Sequence, residues 1–139
     1  SGLWRRRQAH AILAHLAERE GAPPTVLMGD LNEWSLRGGC LRDFAADCHF
    51  APCGRSFHAR RPIAQLDRIM ATPDLEIVAS GAHASATARR ASDHLPVWAE
   101  LRRAETPQPL PPSFSGRGSS GWASRLRSSI SSQSRKGRR

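Results

Sequence analysis

The sequence predicts an α/β fold, and three observations carry that expectation. Apolar residues recur at helical spacing between residues 3 and 20. Short apolar runs at Thr25–Met28 and Ile63–Ala71 read as strands, and Val97–Leu101 alternates apolar and polar residues as a half-buried strand does.

Ala9, Ile12, Leu13 and Leu16 form the stripe of the first element, and Gly21 stops it ahead of Pro23 and Pro24. Arg5, Arg6 and Arg7 sit at its start, where the helix dipole slightly disfavours cations. They read as a solvated face, with phosphate contact as the alternative. Thr25–Met28 lacks alternation, so a strand covered on both faces is expected. Gly29 permits a sharp turn at its end, after which Asp30 and Asn32, two residues apart, project to the same side. A turn in which both side chains merely satisfy backbone groups is the plainer possibility.

Residues 35 to 54 are a poorly patterned connection with a short helix at Leu41–Ala46. In the strand Gln65–Met70, Leu66, Arg68 and Met70 share one side, and Asp67 shares the other with Ile69. A carboxylate in a half-apolar strand costs on the order of several kcal/mol unless something pairs with it. A salt bridge, such as one to Arg68, would be the purely structural answer. Asp93 and His94 are adjacent on an extended segment, so their side chains point to different sides. Pro96 then marks the entrance of the last strand.

These motifs supply three carboxylates, a carboxamide and an imidazole, each where a strand meets a loop. Carboxylates repel a phosphate anion, so their gathering implies a divalent cation that neutralises both, while the imidazole handles protons. Splitting of phosphate esters is the chemistry that fits. The order and wording of the pieces, Pro24–Trp34 with Gly29-Asp30-Leu31-Asn32, Leu66-Asp67-Arg68-Ile69, and Ser92–Val97, resemble the second half of the endonuclease/exonuclease/phosphatase superfamily, the deoxyribonuclease-like metallohydrolases, in its bacterial form.

The resemblance spans roughly residues 3 to 102. It implies half of a four-layer α/β sandwich, a mostly antiparallel sheet with covering helices, with residues 1–103 as the C-terminal half of such a domain. Ser1–Gln8 resembles a segment that follows a family strand, so the N-terminal half is expected to be a missing partner. The resemblance further implies that Asp67 orients His94, that Asp30 aligns the nucleophile, and that Asn32 and His94 hold phosphoryl oxygens. Asp93, with Asp30, would ligate Mg²⁺ or Mn²⁺. His94 is left as either general base or charge-stabilising donor. The family's metal-binding glutamate has no candidate here, so weak binding of the ion and weak turnover are expected of this chain. His58 stands where relatives often carry a proline; like His10, His15, His49 and His83 it reads as solvated.

Charge divides the chain. Residues 1–103 hold 14 Lys/Arg against 11 Asp/Glu, a net of +3, whereas residues 104–139 hold 7 against 1, a net of +6. That second segment, rich in Pro, Ser and Arg, is expected to be a disordered basic tail. Trp122, Leu126 and Ile130 recur every four residues within it with Arg125 and Arg127 between, so the alternative to disorder is a short basic amphipathic helix on an anionic membrane or partner, with nonspecific phosphate contact to nucleic acid as a further option. A noncatalytic remnant acting through this tail is the alternative to a metal-dependent phosphoesterase. Cys40, Cys48 and Cys53 have neither zinc-knuckle spacing nor an even count, which suits reduced thiols and a cytoplasmic setting. No apolar run approaches the ~20 residues that span a bilayer.

Overall fold

The computed structural model describes residues 2–35 and 38–110. Its elements run α1 (Gly2–Glu18), β1 (Val26–Asp30), α2 (Gly39–Ala45), β2 (His49–Phe50), β3 (Asp67–Ala71), β4 (Leu75–Ala82), α3 (Ala88–Ala91) and β5 (Val97–Arg103). The α/β class and the antiparallel pairing expected from the sequence are both present. Pairing falls into two ladders: a three-stranded sheet in the order β1-β3-β2 and a β4-β5 hairpin. The expected tail lies, beyond Leu110, outside the described residues.

β3 is the centre because its two faces are apolar in different directions. Met70 joins Ala9 and Leu13 of α1, Cys40 and Phe44 of α2, and Cys48 in one buried cluster. Ile69, one residue earlier, points the other way and packs with Ala51, Cys53, Ile77, Val97 and Ala99. The helices therefore cover one face of the sheet and the hairpin covers part of the other. At the far end of the ladder, buried Thr72 accepts from the Thr25 N–H at 3.0 Å and donates to Asp74, which pins β1 to β3.

The sequence suggested that Thr25–Met28 would be covered on both faces, but Met28 is 72% exposed. The hairpin covers Ile69 and Val26 without reaching over Met28. Replacing Met28 by threonine should therefore leave stability within about 0.5 kcal/mol of wild type while reducing binding of a hydrophobic dye. Thermal unfolding and dye fluorescence on the same samples check this. A drop in melting temperature of several degrees would show that Met28 is buried after all.

The three cysteines are free and buried, as thiols of a core should be. Burial, with Asp47 nearby, pushes the Cys48 thiol up to about 12. No helix among the described residues is long and apolar enough to cross a membrane.

Candidate active site

Register places the acidic residues. Asp30 ends β1 directly opposite Asp67 at the start of β3, so the ladder brings two carboxylates to one sheet edge. The chain stays in the ladder through Gly29 and turns only at Asn32 (φ 47°), later than the glycine suggested. Asparagine tolerates that left-handed conformation, and the Asn32 N–H donates to Asp30 Oδ1 at 2.7 Å. The plainer turn geometry is thus present, and it occupies one oxygen of Asp30 while leaving the exposed Asn32 amide outward.

The Ser92–Leu95 loop is carried to this edge by backbone bonds to the segment that precedes β3. The Ala59 N–H donates to the Asp93 carbonyl at 2.6 Å, and the Leu95 N–H to the Ser56 carbonyl at 2.9 Å. Beneath the loop, Ala59, Ala88 and Leu95 are buried together. The result is a dyad: His94 Nδ1 lies 2.7 Å from Asp67 Oδ2. Asp67 is raising the His94 pKa above its usual value, chiefly through this hydrogen bond, with smaller contributions from the charges of Asp30 and Asp93. Three carboxylates therefore act on one imidazole, Asp67 by contact and Asp30 and Asp93 through charge alone.

One participant was not foreseen. Ser56 is fully buried and its hydroxyl donates to the same Asp67 oxygen that meets His94. A carboxylate can only accept, so with Ser56 already donating, Nδ1 of His94 must carry the hydrogen it shares. Nε2 is left as the ring nitrogen with a free lone pair in the neutral form. Nothing in the residue pattern marks Ser56, which lies in a loop 11 residues before Asp67. A neutral donor on Asp67 competes with His94 for the carboxylate charge. Ser56→Ala should therefore push the His94 pKa further up, whereas Asp67→Asn should bring it down towards 6.5. NMR titration of the His94 ring checks both; shifts of the same sign would refute this wiring.

Arg68 does not pair with Asp67. It faces the helices, only 4% exposed, with Nε and Nη2 lacking a partner among the described residues, and burial holds its pKa below the usual value. Glu33, also buried, lies on the same side with Arg5 Nε 3.8 Å from its carboxylate. A side chain at Gly39 would collide with that carboxylate, its Cβ falling 1.9 Å from Oε2. Together with a φ of 56° that favours glycine, this accounts for Gly39 at the start of α2, and the Arg5–Glu33 pair ties the loop after Asn32 to α1.

The cation that the resemblance implies is only partly provided for. No three His, Cys, Asp or Glu side chains among the described residues converge as a metal-holding group. Asp67 is committed to Ser56 and His94, and Asp93 and Asp30 are exposed carboxylates. Mg²⁺ requires near-octahedral oxygen ligation, which these two cannot complete alone.

An Asp–His dyad at the strand-end edge of a layered α/β chain, flanked by further carboxylates, defines a candidate hydrolase site. The chain belongs to the endonuclease/exonuclease/phosphatase family, whose model matches residues 2–94. Among solved structures, a crystal structure of a functionally unknown conserved protein from Enterococcus faecalis V583 is similar with a TM-score of 0.62 and 22% identity. That likeness covers 75% of this chain and 46% of the other, so the chain spans less than half the length of that protein. Comparison with curated proteins gave no significant match.

Proposed function

We propose that this chain carries the Asp–His half of a divalent-metal-dependent phosphoesterase site. The observation that supports the reading best is the Asp67–His94 pair at 2.7 Å, on an edge where Asp30 and Asp93 also act on the imidazole. Family membership supports phosphoester hydrolysis in general terms.

In this reading His94, held through Nδ1, presents Nε2 to the water that attacks phosphorus. The proton leaves the water for Nε2 as the new P–O bond forms, and the bond to the leaving oxygen breaks with its electron pair passing to that oxygen, which takes a proton from solvent. Asp67 keeps the ring in that tautomer and stabilises the imidazolium. Asn32, whose amide is exposed beside Asp30, binds a phosphoryl oxygen by donation. Mg²⁺ or Mn²⁺, when bound, would supply neutralisation of the phosphate charge; Asp93 and Asp30 are the ligands this chain offers, and the remainder of the shell must come from water or other groups.

The test is a panel of a generic phosphodiester, a phosphomonoester, plasmid DNA and a phospholipid, each with Mg²⁺ or Mn²⁺ and with chelator. It is run on this chain and on a longer protein containing it. Cleavage that requires the ion in at least one of the two proteins is the expected result. Silence towards every ester in both, with binding of anions retained, would favour a noncatalytic module acting through the basic tail.

A further inference from the structure

The mouth of the dyad is bordered by exposed apolar and cationic side chains that hydrolysis does not use. Trp34 follows Asn32 by two residues and is 59% exposed. Its ring meets Phe57 edge-on, centroids 5.9 Å apart, and Phe57 in turn lies 5.0 Å from the His94 ring. The backbone of Ile63 is bonded to that of Phe57, and its aliphatic side chain is 60% exposed. Arg60 and Arg61, in the same loop, are exposed, and Arg89 fastens the loop by donating to the carbonyls of Ala59 and Arg60 at 3.1 and 3.3 Å. Arg90 beside it is exposed. The ion pairs of the described residues involve Arg5, Arg6 and Arg102, but none of Arg60, Arg61 and Arg90.

We propose that this rim docks the site onto a bilayer surface containing anionic phospholipids, with Trp34 and Ile63 entering the interface and Arg60, Arg61 and Arg90 contacting headgroup phosphates. Aromatic and aliphatic side chains interleaved with arginines form the composition that partitions into a headgroup layer, where ring and alkyl surface leave water and the cations meet anionic lipid. A polynucleotide would use the arginines and could stack on Trp34, but it gives no reason for Ile63 to project into solvent. Among the described residues Arg60, Arg61 and Arg90 form no ion pair, so their charge is available to the surface.

The proposal deepens the hydrolase reading by stating where the site works, and it rests on that reading only for the identity of the scissile ester. Vesicle binding without hydrolysis would leave the docking surface standing and count against the hydrolase alone. The full chain is floated with vesicles of phosphatidylcholine containing about one-third phosphatidylglycerol, at low and high salt, against an oligonucleotide of mixed sequence. Trp34→Ser with Ile63→Ser should weaken vesicle partitioning by about tenfold or more, and the loss should persist at high salt, where the tail's charge is screened. Arg60→Gln with Arg61→Gln should weaken it at low salt only, and Arg103→Gln, at the end of β5 away from His94, should match wild type. Melting temperatures confirm that each variant folds. Mouth variants that float as well as wild type would overturn the proposal, as would a chain that binds the oligonucleotide and ignores vesicles.

Discussion

Asp67→Asn should lower the hydrolytic rate by about 10²- to 10⁴-fold, whichever ester proves to be the substrate. The substitution keeps the shape of the side chain but reverses one hydrogen bond. An amide turned to donate towards Nδ1 forces the hydrogen onto Nε2, the nitrogen that must accept a proton from water. If the amide oxygen faces the ring instead, the tautomer survives but the imidazolium loses its counter-charge. Both arrangements impair proton transfer, and the loss should lie in kcat rather than KM. A rate within a few-fold of wild type would mean that His94 does not act through Asp67.

The same pair fixes a pH dependence of stability. His94 has its pKa raised in the fold above the ordinary 6.5, mainly by the bond to Asp67. A raised pKa means that the stabilisation from protonated His94 is fully present below about 6.5 and is lost as pH rises through the folded value. Denaturant unfolding of wild type and Asp67→Asn should therefore show a gap that is wide at pH 5.5 and narrows by pH 8.5. A gap that widened with pH would invert the assignment.

Met70→Ala should cost about 2–5 kcal/mol, the largest expected loss of stability from a single apolar truncation near the site. Met70 is 2% exposed and lies where β3 meets both helices, touching the cluster of Ala9, Leu13, Cys40, Phe44 and Cys48. Its backbone pairs with Leu27 on one side and Phe50 on the other, so the surroundings cannot readily collapse into the space. Since Asp67 opens the same strand, loosening β3 should also disturb the dyad. Urea unfolding measures the first effect; a change below about 1 kcal/mol would show that β3 is not the organising strand.

The parts of this fold that were legible are those where periodicity is strong and one face is buried. α1 was marked by Ala9, Leu13 and Leu16, all of which are buried, although Ile12 of the same stripe is 41% exposed. The opposed faces of Asp67/Ile69 and Arg68/Met70 followed from strand alternation, and β5 alternates as read. β4 was not legible because Leu75–Ala82 mixes alanine, serine and glycine with its apolar residues and carries a bulge between Ile77 and Ala79. β2 has only His49 and Phe50, too short for any period. At the site, motif chemistry singled out Asp30, Asp67, Asp93 and His94; the fold pairs Asp67 with His94 and leaves Asp30 and Asp93 near enough for their charges to act on the ring. Ser56 escaped because its role depends on a contact across a loop, which spacing does not encode. The turn at Asn32 rather than Gly29 escaped because pairing of Gly29 with Arg68 holds the strand extended one step further.

The deciding measurement is the rate of metal-supported phosphodiester cleavage by His94→Ala beside wild type, in the longest protein containing this chain that cleaves the ester. If His94 is the proton acceptor, the rate falls by about 10²- to 10⁴-fold with the melting temperature and ester binding preserved. Cleavage by His94→Ala at the wild-type rate would place the chemistry elsewhere and contradict it.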